Sequence, residues 1–175
     1  MIASDYINHL FFTRDIGARM YEKTGVLFMI KLVITDIDGT LLDEGQTNLN
    51  PEYFDIIRKL TECGITFAVA TGRHAVSVKK TFGPVLDCIW IVSQNGSVIE
   101  HDGVSRVLKP LPREWAEEFW QDLSLYPEVE SLLNTDHRTY CPFPETNMFY
   151  TVRDSYGFDI HATGGWDRLP EGEEF

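Results

Sequence analysis

The sequence predicts an α/β protein, with a parallel-sheet core followed by a smaller α+β module. Two observations predict the core. Short apolar runs rich in β-branched residues, IKLVIT (30 to 35), ITFAVA (65 to 70) and CIWIVS (88 to 93), have the length of buried strands. Stretches of helical periodicity separate them. A third observation predicts the module: near residue 109 the texture turns aromatic and turn-rich, and such runs stop.

The first run is almost uninterrupted, as expected for a strand buried on both faces. A polar loop follows, then Asn50-Pro51, a natural N-cap and first helical residue. Phe54, Ile57 and Leu60 recur at helical spacing, and Gly64 ends the helix. The second run closes a strand–helix–strand unit, which implies parallel pairing. A shorter helix is expected over 74 to 82, stopped by Gly83-Pro84. The third run leads into Gln94-Asn95-Gly96, and SVIEHDGVSRVL reads as a hairpin turning at Asp102-Gly103. LPREWAEEFWQDL is an amphipathic helix with Trp115, Phe119 and Leu123 on one side. The expected organisation is an extension over 1–28, an α/β core over 29–108 and the α+β module over 109–175.

Composition narrows the partners. The chain has 175 residues, 43% of them apolar, enough for one sizeable core and part of a second. A formal charge of −12 argues against nucleic acid or an anionic membrane surface as partner. No stretch reaches the ~20 apolar residues that span a bilayer. Cys63, Cys88 and Cys141 are widely spaced, without a zinc pattern, and a reducing, cytoplasmic setting fits them. Cys63 and Cys88 read as small core residues, and the five histidines show no ligand spacing.

The chemistry concentrates where the first run ends, in KLVITDIDGT. Asp36 and Asp38 share a face if the strand continues through them. Two carboxylates so close repel unless a cation lies between them or one holds a proton. Hard oxygen ligation suits Mg²⁺. Gly39 lets backbone approach a ligand, and Thr40 can cap the turn. Thr71-Gly72, at the end of the second run, offers a hydroxyl and backbone N–H groups ahead of a helix, where an anion is favoured. Ligands of open α/β sheets bind outside such strand ends. Arg73 reads equally as a ligand contact or a solvated first-turn residue, and Asn95 as a substrate contact or a turn former.

DIDGTLL, ATGR and SQNGSVIEHDG are similar to motifs of the haloacid dehalogenase-like (HAD) superfamily, in its Cof-type sugar-phosphatase-like branch. The resemblance covers 29 to 108 by motif and 109 to 175 by position and texture. It implies an incomplete Rossmann-like parallel sheet carrying part of an inserted α+β cap. It also implies a Mg²⁺-dependent phosphatase acting on a small phosphorylated metabolite through an aspartyl-phosphate intermediate. Asp36 then matches the nucleophile and Asp38 the general acid/base, with the Asp36 carboxylate and Asp38 carbonyl as metal ligands. Thr71, with Gly72 and Gly39, matches the phosphate-binding set. The family's phosphate-neutralising lysine and second acidic pair have no counterpart: Lys79 and Lys80 are expected to project into solvent, and Asp154, Asp159 and Asp167 are isolated. The chain therefore reads as a truncated member. A phosphomutase and a non-catalytic remnant are the alternatives.

Overall fold

The computed structural model describes residues 30–43, 46, 48–169, 171–173 and 175. The expected extension over 1–28 lies outside the described residues. A five-stranded sheet runs in the order β1 (Leu32–Thr35), β2 (Thr66–Ala70), β3 (Ile89–Ser93), β4 (Val98–His101), β5 (Val104–Val107). The first three strands are parallel, with Val33 opposite Phe67 and Val69 opposite Ile91. The last two return antiparallel as the hairpin expected at Asp102-Gly103, where both residues take positive φ.

Helices α1 (Glu52–Glu62) and α2 (Ala75–Phe82) make the two crossovers. The Asn50 side chain accepts the Glu52 N–H at 3.1 Å, and Gly64 leaves α1 at φ +73°. The strand order advances in one direction, so two right-handed crossovers put both helices on the same face. Ile57, Val78 and Phe82 from the helices pack there on Phe67, Val69, Ile89 and Ile91.

The other face corrects an expectation. In a strand expected to be buried on both faces, Leu32 and Ile34 are 50% and 56% exposed, and Trp90 beside them is exposed too. Among the described residues no helix covers that side. Cys63 is likewise exposed rather than core, because it follows the last buried turn of α1; Cys88 is half-buried against the core and Cys141 is buried.

Beyond the hairpin, helix α3 (Arg113–Leu123) packs on a three-stranded sheet of β6 (Leu133–Asn134), β7 (Thr139–Cys141) and β8 (Ile160–Ala162). Its core is Ala116, Trp120, Leu133, Tyr140 and Leu169. Trp115 and Phe119, expected on one side with Leu123, lie on a different, exposed face. A short helix, α4 (Asn147–Tyr150), runs into a wider turn before β8.

Candidate active site

The carboxyl ends of β1, β2 and β3 open onto one crevice of about 500 Å³. Asp36 enters it from the end of β1, Thr71 and Gly72 from the end of β2, and Asn95 from the turn after β3. Parallel pairing alone brings these residues together from three separate segments of the chain.

Each one is fixed locally. Asp36 is exposed, and its Oδ1 accepts the Ile37 N–H at 2.7 Å. Thr71 is buried, its Oγ1 accepts the Arg73 N–H at 3.1 Å, and its backbone holds Val92 and Asn95. The N-cap of α2 is not Thr71 but His74, whose Nδ1 accepts the Val76 N–H. Gln94 and Asn95 both adopt left-handed φ, 52° and 56°, a conformation that costs non-glycine residues about 1 kcal/mol or more. That turn seats the Asn95 carboxamide over Gly72, where a Cβ built on the glycine would come within 3.1 Å of Asn95 Oδ1.

The remaining expected residues fall elsewhere. Gly39 has φ +71° and gives its N–H to Leu42 O at 2.8 Å, so the amide serves its own turn. Arg73 is neither solvated nor turned into the crevice. It is 2% exposed, and its guanidinium grips Asp38 through two bonds, Nε to Oδ2 at 2.9 Å and Nη2 to Oδ1 at 2.6 Å. Nη2 also donates to Gln46 O, and the Tyr156 ring lies 5.4 Å away. Lys79 and Lys80 lie at the surface, as expected, but each has a partner. Lys79 pairs with buried Glu100 at 2.8 Å, and Lys80 donates to Gly157 O.

Charge at the crevice is therefore one-sided, because Asp36 faces it and no cation lines it among the described residues. Among the described residues no cluster of three metal-ligating side chains occurs. With the Asp38 carboxylate committed to Arg73, the expected metal donors reduce to the Asp36 carboxylate and the Asp38 carbonyl. A small oxygen donor set of this kind fits Mg²⁺, which keeps several waters and takes its other ligands from substrate phosphate.

Sequence reasoning missed what joins the crevice to the small sheet. His74, buried at the head of α2, donates from Nε2 to Thr135 O, and Gln94 Nε2 donates to the same carbonyl. Burial holds the His74 pKa below its usual value. Ser77 Oγ donates to Tyr156 O. A histidine directly after Thr-Gly-Arg was the available signal, although its partner sixty-one residues away was not legible.

Known proteins place these features in a family. The family model described as haloacid dehalogenase-like hydrolase matches residues 33–163. A phosphoglycolate phosphatase of Metallosphaera sedula is 31% identical over 138 residues, covering 78% of this chain and 62% of that protein. The 5-amino-6-(5-phospho-D-ribitylamino)uracil phosphatase of Escherichia coli K12 is 23% identical over 142 residues, 81% of this chain and 52% of its own. The chain thus spans between half and two thirds of the length of these relatives. In fold it superposes on a haloacid dehalogenase-like hydrolase from B. subtilis with a TM-score of 0.67 at 21% identity, covering 83% of this chain and 59% of that one. A β1-end carboxylate facing a β2-end Thr-Gly across a parallel sheet, and a family model spanning most of the chain, lead to one conclusion: this protein belongs to the haloacid dehalogenase-like hydrolases.

Proposed function

We propose that the crevice is the active site of a phosphomonoesterase and that Asp36 is its nucleophile. One observation carries this reading: Asp36, Thr71, Gly72 and Asn95 line a single opening at the ends of three parallel strands. The names of two relatives, both phosphatases of small phosphorylated metabolites, support the same substrate class here. Three free cysteines and the lack of a membrane-crossing helix among the described residues are compatible with a cytoplasmic setting.

In the first step an Asp36 oxygen attacks phosphorus, the ester P–O bond breaks, and the leaving alkoxide takes a proton from Asp38. Water then attacks the aspartyl phosphate, gives its proton to Asp38, and releases inorganic phosphate with Asp36 restored. Thr71 Oγ and the Gly72 backbone hold the phosphoryl oxygens. Asp38 can carry a proton only if its bonds to Arg73 loosen as the substrate enters, so Arg73 orients the acid between turnovers. The Asp36 carboxylate and Asp38 carbonyl would hold Mg²⁺, which when bound supplies charge neutralisation between carboxylate and phosphate.

Because no cation lines the crevice among the described residues, turnover of an aryl phosphate with millimolar Mg²⁺ should be slow. A missing charge-stabilising group typically costs about 10²–10³ in rate. What turnover there is should vanish in Asp36→Asn. In parallel, inorganic phosphate with Mg²⁺ should shift the amide resonances of Thr71 and Gly72. Hydrolysis indifferent to Asp36→Asn would remove Asp36 as nucleophile and sink this reading, and no phosphate response at Thr71 and Gly72 would favour a non-catalytic protein.

A further inference from the structure

A second cavity, of about 250 Å³, lies between the hairpin end of the large sheet and the small sheet. Gly72 and Asn95 line both this cavity and the crevice, so the two spaces adjoin at these residues. Leu133 and Asn134 of β6 form the far wall, and Lys109, in the connection between β5 and α3, lines it too. A phosphate seated at Thr71 would extend its ester group past Asn95 into this space.

Lys109 is exposed and has no hydrogen bond or ion pair among the described residues. Several other cations are spent: Arg58 on Asp87, Arg73 on Asp38, Lys79 on Glu100, Arg138 on Asp159. In a chain with 27 acidic and 15 basic residues, an unspent lysine on a cavity wall is chemically distinctive. The acidic side chain that shares the lining, Asp136, already has a partner in His137, Oδ1 to Nδ1 at 2.5 Å, and the Phe175 carboxyl oxygen, in the same lining, accepts the Leu111 N–H. The strained turn at Gln94-Asn95 fits the same picture. Backbone held in a sparsely populated conformation persists where surrounding structure fixes it, often beside a ligand. Here it holds Gln94 on Thr135 O and Asn95 at the junction of the two spaces.

We propose that this cavity receives the leaving group and that Lys109 makes the site prefer phosphomonoesters of hydroxycarboxylic acids over those of neutral alcohols. The inference rests on the phosphatase reading. The ammonium would meet the carboxylate of the leaving group while the phosphate faces Asp36 and Thr71. Amides from Gln94, Asn95 and Asn134 would receive its hydroxyls, and the cavity leaves room for leaving groups longer than two carbons.

The test is a matched pair of ligands, 2-phosphoglycolate and 2-hydroxyethyl phosphate, which differ little in size and by one charge. Their dissociation constants are measured by calorimetry on the full chain with Mg²⁺, alongside inorganic phosphate. Wild type should bind 2-phosphoglycolate roughly five- to tenfold more tightly than the neutral ester, the range of a partly hydrated charged contact. Lys109→Met should bring that ratio close to one, and Lys109→Arg should recover most of it. Lys59→Met removes an exposed cation on α1, away from the cavity, and should leave the ratio unchanged. Equal binding of the two esters by wild type, or a ratio lowered equally by Lys59→Met, overturns the Lys109 assignment while the phosphatase reading stands. Failure to bind inorganic phosphate as well as both esters overturns both.

Discussion

Arg73 holds Asp38 with two nitrogens of a planar fork, and it does so from a fully buried position, with Nη1 left unpartnered among the described residues. Removing one member of such a pair strands the other. Asp38 keeps some contact with water, 28% exposed, so the cost falls toward the low end for buried pairs. Arg73→Met should lower unfolding free energy by about 3 kcal/mol in urea titrations. Arg73→Lys keeps the charge but not the fork, and should recover only part of that loss. His74 makes a different prediction. Its pKa is depressed in the folded chain, chiefly by burial, which outweighs the opposing pull of the Thr135 carbonyl and Asp136. Its proton therefore binds more readily to the unfolded chain. The stability it supports is complete above the usual value of 6.5 and is lost as pH falls below it. Urea midpoints of wild type should drop between pH 7.5 and 5.5 more than those of His74→Asn, which keeps a helix cap but cannot titrate. The limiting slope is about 1.4 kcal/mol per pH unit. Equal pH slopes for the two proteins would remove His74 from this account.

Helix α3 shows what periodicity does and does not decide. Aromatic and apolar residues occupy two neighbouring stripes, Trp115 with Phe119 and Ala116 with Trp120 and Leu123. Both stripes have helical spacing, so the sequence alone could not choose between them. The partner surface chooses. Leu133, Tyr140 and Leu169 receive Trp120 beside the small Ala116, and Trp166 meets the Trp120 ring edge-on at 5.9 Å. Trp120→Ala should cost about 3–5 kcal/mol, whereas Trp115→Gln with Phe119→Gln should change stability by less than about 0.5 kcal/mol. Thermal melts of the two variants separate these outcomes. The strands of the large sheet were legible for the opposite reason. Each is a short β-branched run closed by its own stop signal, Gly64 before β2 and Gly83-Pro84 before β3. Strands β6 to β8, two or three residues each, carry too little pattern to be read before their partners are known.

Across the whole molecule, the large sheet has a helix-covered side and an open side. A run such as IKLVIT records that its residues are apolar, not whether anything covers them, which is why the acidic end of β1 was legible and the exposure of Leu32 and Ile34 was not. Strand β1 is also the edge of the sheet, so its backbone groups on one side have no strand partner among the described residues. An apolar edge of this kind favours association. Sedimentation should show the average mass rising with concentration, and Leu32→Lys with Ile34→Lys should suppress the rise. A concentration-independent monomer in wild type would mean that the edge is protected by some other means. The site itself was half legible. Asp36, Thr71 and Asn95 follow from strand ends, but the Arg73–Asp38 grip and the bridge to Thr135 depend on side-chain directions that no local pattern encodes.

The bridge at Thr135 bears on how the molecule comes apart. Two separate apolar clusters, one under the large sheet and one under the small, are joined near the crevice mainly by hydrogen bonds from His74, Gln94, Ser77 and Lys80, by a tilted contact of the His74 and Phe158 rings and by the Arg73 guanidinium over the Tyr156 ring. Water can replace hydrogen bonds at little net cost, whereas it cannot replace a shared apolar interior. The small sheet can therefore open as a unit of its own while β1 to β3 stay closed, in the manner of a foldon. Its amides should then take up deuterium through a subglobal opening, ahead of those in β2. Acidification, by protonating His74, should hasten that opening before it disturbs the strands that carry Asp36 and Thr71.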